Sequence, residues 1–173
     1  MKSNVLSFSL ALIGLALISA GVFAAPVART LPNMPSLEVQ TLDGTSFDLA
    51  EQKGKWVIVN YWATWCGPCI KEMPALSTFV SEHDDVTAIG LAFEDTDRAD
   101  LEAFLKKNPV TYPIAQIDID NPPAAFDVPR GLPMTYVIAP DGSVAKQVMG
   151  PIDEKDLARI TGKAVEQPAP AKP

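Results

Sequence analysis

Two apolar runs joined by a helical segment constrain the fold of this 173-residue chain more than any other feature. The run Trp56–Trp62 is apolar except for Asn60, which is typical of a strand buried on both faces of a sheet. Residues 66–82 then repeat apolar side chains at helical spacing, and Val86–Phe93 is a second buried run. The predicted buried stripe of the helix consists of Ile70, Met73, Leu76 and Val80. This order predicts a parallel pair of strands with a right-handed crossover.

Shorter patterns predict the other elements. The pairs Asp43-Gly44 and Asp141-Gly142 are typical of β-hairpin turns. Their flanking strands are predicted at 37–40 and 46–49, and at 134–139 and 143–148. Two more helices are predicted over 97–107 and 153–161, and a short strand over 112–117. The alternation of strands and helices predicts an α/β domain.

The domain is expected to span residues 36–162. Residues 1–24 resemble a secretory signal peptide, with Lys2, a long uncharged run and Val22-Phe23-Ala24 before the cleavage position. The run is also long enough to be an uncleaved membrane anchor. Either alternative places the folded part outside the cytoplasm, free in the periplasm or anchored to the inner membrane. Residues 25–35 are predicted to be a linker, and residues 163–173 a flexible tail rich in Pro and Ala.

Charge and cysteine content exclude several function classes. The net charge is −7, and removing Lys2 with the export segment leaves 13 basic against 21 acidic residues. A chain this acidic, without a basic stripe, is a poor ligand for nucleic acid or for an anionic membrane surface. Two cysteines are too few for a disulfide scaffold or a Cys-rich zinc module.

Both cysteines stand where the first buried run turns into the helix, in the segment Trp65-Cys66-Gly67-Pro68-Cys69. A helix N-terminus stabilises a thiolate through free N–H groups and the positive end of the dipole. Cys66 is therefore predicted to be an exposed nucleophile of low pKa. Cys69 lies one turn further in, where it can resolve a mixed disulfide formed at Cys66. Pro68 suits the first helical turn.

Three other interpretations of the cysteine pair stay open at this stage. A purely structural disulfide would constrain the unfolded chain by only about 2 kcal/mol, because its loop is so short. Half of a zinc site would need further ligands, and His83 is the nearest ordinary candidate. The motif could also be retained in a chain that only binds partners and has no redox activity. Glu94, Asp95 and Asp97 follow the second run and are expected to form a solvated loop rather than a metal site.

Residues 57–74 resemble the active-site segment of the thioredoxin superfamily, and more narrowly that of the exported TlpA/ResA-like thiol–disulfide oxidoreductases. Residues 130–136, Arg-Gly-Leu-Pro-Met-Thr-Tyr, resemble the second motif of that family. The resemblance covers about residues 32–163. It implies a thioredoxin fold, in which helices flank a central mixed β-sheet, with an N-terminal β-hairpin extension.

The resemblance also assigns site residues. It implies that Pro133 is cis and packs beside the cysteine pair, although an ordinary trans proline at a strand start also fits the residue pattern. Leu132 is expected to shape the contact with the substrate backbone. The other expected substrate contacts are Trp65, Gly67 and Pro68, although the residue pattern alone fits a core role for Trp65 equally well.

One position departs from cytoplasmic thioredoxins, which carry a buried Asp six residues before the first cysteine. Here that position is Asn60, which cannot take a proton. The exported subgroup carries a Glu three residues after the second cysteine, and Glu72 stands there. Cys69 and Glu72 are neighbours on one helix face. Glu72 is therefore the expected acceptor of the Cys69 proton, with a solvated surface Glu as the alternative.

The expected function is that of an exported thiol–disulfide oxidoreductase that reduces protein disulfides, since Gly-Pro between the cysteines matches the thioredoxin form. The resemblance implies a membrane thiol donor that re-reduces the pair, and substrates such as apocytochrome c or copper-site cysteines. No organic cofactor and no metal are expected. The alternatives are a disulfide oxidase or isomerase, and a non-enzymatic copper-handling or docking module that uses both thiols as soft ligands.

Overall fold

The computed structural model describes residues 34–164. The predicted signal or anchor segment, most of the linker and most of the tail lie outside the described residues. Among those described, no helix has the length and apolar character needed to cross a membrane. The strands are β1 (Glu38–Gln40), β2 (Ser46–Asp48), β3 (Trp56–Trp62), β4 (Val86–Ala92), β5 (Ile114–Gln116), β6 (Met134–Ile138) and β7 (Val144–Met149). The helices are α1 (Gly67–Glu82), α2 (Arg98–Lys107) and α3 (Glu154–Thr161), and Leu49–Gln52 is a 3₁₀ turn.

The central sheet has five strands in the order β5-β4-β3-β6-β7. Strands β3 and β4 are parallel, as the two apolar runs predict, and β5 is parallel to β4. Strand β6 is antiparallel to both β3 and β7. A separate antiparallel pair, β1 and β2, forms the N-terminal hairpin. The predicted fold class, a mixed sheet flanked by helices with an N-terminal hairpin extension, is confirmed.

All three helices pack on one face of the sheet. Right-handed crossovers from β3 to β4 and from β4 to β5 step in the same direction, so they place α1 and α2 on the same side. The core there includes Leu76 of α1, Leu101 of α2 and Leu157 of α3. The opposite core includes Phe47 of the hairpin and Phe126 of the connection before β6. Strand β3 is therefore buried on both faces, and its end is held in place by two cores.

The buried face of α1 differs from the predicted stripe. Met73 and Leu76 are buried as expected, but Ile70 and Val80 are only half-buried. The fully covered positions also include Cys69, Glu72 and Phe79. The prediction considered only apolar residues, whereas two of the buried positions are Cys69 and Glu72. Relative to the predicted orientation, α1 is therefore rotated so that these two side chains face the sheet.

Gly90 of β4 lies under Trp62 and the segment that leads into β5. A methyl group added at Gly90 would meet Ile114 Cδ1 at 2.4 Å, Trp62 Nε1 at 3.0 Å and Tyr112 Cε2 at 3.3 Å. Overpacking of this kind costs roughly 1–3 kcal/mol. We therefore expect Gly90→Ala to lower the free energy of unfolding of the full chain by about 2 kcal/mol in urea titration. Gly131→Ala, at a position with open space, is the control and should change stability by under about 0.5 kcal/mol.

Candidate active site

The disulfide between Cys66 and Cys69 lies at the N-terminus of α1, with its Cα atoms 5.3 Å apart. Cys66 is the N-cap of the helix, and its Sγ accepts a hydrogen bond of 3.3 Å from the backbone N–H of Cys69. The Cys66 carbonyl accepts from Ile70 N at 3.1 Å and so begins the helical ladder. The sulfur that would carry the negative charge thus sits against the free N–H groups of the first turn.

The prediction that Cys66 is exposed is wrong for this disulfide form. Only 4% of Cys66 and none of Cys69 is exposed, whereas 71% of Trp65 is exposed. The bond to Cys69 draws the Cys66 side chain toward the core on the helix side of the sheet, which includes Trp62 and Ala63. Gly67 and Pro68 remain exposed beside it. Trp65, Gly67 and Pro68 thus form an exposed rim beside the buried disulfide.

Strand β6 begins next to the end of β3, because Met134 pairs with Tyr61 in the antiparallel ladder. The Leu132–Pro133 peptide bond immediately before it is cis, as the resemblance implied. Pro133 is buried and its carbonyl accepts a hydrogen bond of 2.9 Å from Gly150 N. The hairpin of β6 and β7 thereby holds Pro133 at the end of the sheet where β3 leads into Cys66.

A cavity of about 420 Å³ opens beside the disulfide. Trp65 and Leu132 line it together with Phe93, Glu94 and Arg130. Two predicted substrate contacts from distant parts of the chain therefore share one concave surface. Aromatic and aliphatic side chains and charged groups of both signs therefore line the same cavity.

Glu72 is buried, with 4% of its surface exposed. Its Oε1 accepts a hydrogen bond of 2.8 Å from Asn60 Nδ2, and its Oε2 accepts one of 2.9 Å from Ile152 N. Loss of hydration raises the pKa of Glu72 to about 7, although both hydrogen bonds favour the charged form. The alternative of a solvated surface Glu is wrong. The carboxyl group sits one turn from Cys69 and changes its charge near neutral pH.

The partners of Glu72 were only partly visible in the sequence. Asn60 interrupts an otherwise apolar strand, and such a residue indicates a buried polar contact. Its Nδ2 also donates to Thr135 Oγ1 at 3.0 Å. Thr135 and the backbone amide of Ile152 were missed, because no pattern marks a threonine or an amide as a partner of a residue more than 60 positions away.

Glu94 contradicts the expectation of a solvated loop. It is 8% exposed, and its two oxygens accept from Thr64 N at 2.7 Å and from Thr64 Oγ1 at 2.9 Å. Asp95 and Asp97 are exposed, as expected. The buried position of Glu94 follows from its place directly beyond β4, next to the turn that leads out of β3.

The zinc alternative finds no support in the geometry. His83 is the C-cap of α1, at the opposite end of a 16-residue helix from Cys66, which is roughly 24 Å away. Its ring nitrogens lie 2.8 Å from the Phe79 carbonyl and 3.0 Å from the Ala164 carbonyl. In residues 34–164, no group of three or more His, Cys, Asp or Glu side chains is arranged to hold a metal ion.

The raised pKa of Glu72 predicts a pH dependence of stability. The folded chain binds this proton more tightly than the unfolded chain does, so the stabilisation is complete below about pH 4.5 and is lost as pH rises through about 7. The shift corresponds to a loss on the order of 3 kcal/mol. We expect the difference in unfolding free energy between the oxidised full chain and Glu72→Gln to change by this amount between pH 4.5 and 8. The control Glu82→Gln, at an exposed position of α1, should track the wild type, and parallel curves for Glu72→Gln would contradict the prediction.

Comparison with known proteins agrees with this geometry. The model of the AhpC/TSA family matches residues 32–147. The thioredoxin-like protein YneN of Bacillus subtilis is 32% identical, over 71% of this chain and 73% of the relative. The thiol–disulfide oxidoreductase ResA of Bacillus subtilis is also 32% identical, over 69% of this chain and 67% of the relative. A thioredoxin-family thiol:disulfide interchange protein from Chlorobium tepidum TLS superposes with a TM-score of 0.65 at 28% identity, over 77% of this chain and 95% of that one.

The family match at residues 32–147 includes the strand, helix and cis-proline segments that build the site. The chain belongs to the AhpC/TSA family of thioredoxin-like proteins and is a thiol–disulfide oxidoreductase.

Proposed function

We propose that this oxidoreductase works in the reducing direction, on disulfides of proteins outside the cytoplasm. The observation that carries the proposal is the buried Glu72 carboxyl group, one helical turn from Cys69. An ionised carboxylate there disfavours a second negative charge on the Cys69 sulfur. It therefore disfavours the thiolate form of the pair relative to the disulfide. A dithiol that is destabilised in this way gives up its electrons more readily.

The reaction begins at Cys66. Its thiolate, held at the N-terminus of α1, attacks one sulfur of the substrate disulfide. A mixed disulfide forms at Cys66, and the other substrate sulfur leaves as a thiolate. Cys69 then attacks Cys66 Sγ, the internal disulfide closes, and the second substrate thiol is released. Two electrons pass from the enzyme dithiol to the substrate disulfide.

Glu72 takes the proton that Cys69 loses in the second step. A group with a pKa of about 7 is well suited to accept and return protons at neutral pH. Glu72 also lines a cavity of about 480 Å³ between α1 and the segment that leads into α3, shared with Pro68, Lys71, Pro151 and Asp156. This cavity gives the buried carboxyl group a route along which a proton reaches solvent. Pro68 also belongs to the rim, so the proton route opens beside the surface that receives the substrate.

The substrate lies across Trp65 and Leu132. The backbone beside the cis Pro133 pairs with the substrate chain, and the adjacent cavity takes a neighbouring side chain. Gly67 and Pro68 complete the rim without bulky side chains, which leaves room for a folded or extended partner.

The wider setting also belongs to the proposal. Residues 1–24 direct the chain across the inner membrane, either as a cleaved signal or as an anchor. A membrane thiol donor re-reduces the Cys66–Cys69 pair after each turnover, and the chemistry needs no organic cofactor or metal. The resemblance supports substrates such as the cysteine pairs of apocytochrome c or of a copper site.

The reduction potential of the pair tests the direction. Thioredoxin has a potential of about −270 mV and the periplasmic oxidase DsbA about −120 mV. We expect a value near or below about −250 mV for the full chain in detergent, by titration in thiol redox buffers with trapping of the free thiols. A value above about −180 mV would instead assign the chain to the oxidases or isomerases. Tight Cu(I) binding without disulfide reductase activity would favour the copper-handling module.

The Glu72→Gln variant tests the role of the carboxyl group. Without its charge, the Cys69 thiolate is less disfavoured, so the reduction potential at pH 8 should become about 30 mV less negative, the equivalent of about 1.4 kcal/mol. Without its basicity, closure of the internal disulfide should slow by about 100-fold, measured by quenched-flow trapping of the mixed disulfide. Glu82→Gln serves as the control on the same helix. An unchanged closure rate in Glu72→Gln would show that the proton goes elsewhere.

A further inference from the structure

Glu94 is a second buried carboxyl group, hydrogen-bonded to the turn that precedes Cys66. It stands two residues beyond the end of β4, and 8% of its surface is exposed. Both of its oxygens are engaged by one residue, since Oε1 accepts from Thr64 N and Oε2 accepts from Thr64 Oγ1. Burial of a carboxylate is costly unless its oxygens are hydrogen-bonded, and here both are satisfied by the same partner.

Thr64 lies in the turn that carries Cys66 from β3 into α1. The turn is closed by the hydrogen bond from Cys66 N to the Ala63 carbonyl, at 3.1 Å. On the β4 side, Phe93 N donates to the Trp62 carbonyl at 2.8 Å, so the pairing with β3 extends one residue beyond the end of β4. The two hydrogen bonds between Glu94 and Thr64 come next along both segments. They connect the middle of the turn to the residues after β4 and fix their relative orientation.

We propose that Glu94 is the positioning residue that holds Cys66 for nucleophilic attack. Thr64 is two residues from Cys66, and the stabilising bond from Cys69 N reaches Cys66 Sγ only in the geometry that this turn imposes. A loose turn would let the Cys66 sulfur drift away from the helix N-terminus, which would weaken the stabilisation of its thiolate. The role concerns the attack by Cys66 in either redox direction, so it does not depend on the reducing assignment.

The contact acts through its hydrogen bonds rather than through the negative charge. In Glu94→Gln, the amide oxygen can still accept from Thr64 N. The amide NH₂ can donate to Thr64 Oγ1, because a hydroxyl group accepts as well as donates. The glutamine variant therefore keeps both links and loses only the charge. Glu94→Ala loses both links, and Thr64→Val loses only the link to the hydroxyl group.

The experiment measures how fast the reduced full chain, in detergent, attacks dithiodipyridine as a function of pH. This disulfide is uncharged near neutral pH, so a change of charge on the protein does not alter its attraction to the site. We expect Glu94→Ala to react about tenfold more slowly at pH 7, with the rise of its rate displaced to higher pH. Thr64→Val should be about threefold slower. Glu94→Gln should stay within about twofold of the wild type, as should Asp95→Asn, which removes a neighbouring exposed charge.

Two results would overturn the proposal. In the first, Glu94→Ala and Thr64→Val unfold at lower urea concentration but keep the wild-type rate and pH profile, so the contact is structural only. In the second, Glu94→Gln is as slow as Glu94→Ala, which assigns the effect to charge. If Glu94→Ala does not fold, the attack rates of Thr64→Val and Thr64→Ser are compared instead. Serine keeps the hydroxyl group, so Thr64→Ser should react at the wild-type rate.

Discussion

The buried carboxyl group of Glu72 is the constraint on which the rest of the site depends. A carboxyl group in this position needs polar partners, and the fold supplies them from two directions: the amide of Asn60 from the central strand, and the backbone N–H of Ile152 from the segment before α3. Those two contacts hold the Glu72 face of α1 against the sheet, together with the buried side chains of Met73, Leu76 and Phe79. This orientation of α1 places Cys69 inward and leaves Gly67 and Pro68 at the surface.

The two proposed roles of the buried carboxyl groups differ in their chemistry. Glu72, one helical turn after Cys69, is proposed to exchange a proton during the second chemical step. Glu94, hydrogen-bonded through both oxygens to the turn before Cys66, is proposed to hold the backbone in place. Sheet topology makes this arrangement available, because β3 is central, and the end of β4 and the start of β6 flank the point at which it leads into α1. One neighbour contributes Glu94, and the other contributes the cis Pro133.

Much of this architecture follows from the sequence, and the failures have a common cause. The apolar runs around β3 and β4 and the two Asp-Gly turns predict the order of elements, because burial and turn chemistry are local properties. The position of Glu72 three residues after Cys69 likewise indicated its proximity. Burial of Glu94 was not predictable, since its partner Thr64 is 30 residues away and its acidic neighbours are solvated. Nothing in the sequence distinguishes the backbone amide of Ile152 as a partner of Glu72, because every residue except proline has such an amide. The rotation of α1 depends in part on contacts of this kind.

The long sequence separations of the Glu72 contacts have a consequence for how the protein is made. Asn60 and Glu72 are 12 residues apart, but Ile152 follows Glu72 by 80 residues. Contacts of such high separation form late, after the entropy of closing the intervening loop has been overcome. A chain that emerges from its N-terminus exposes both cysteines long before the segment that completes the carboxylate site. The nascent protein thus passes through a stage in which its thiols are present but the hydrogen-bonded Glu72 site, their proposed proton acceptor, is not yet assembled.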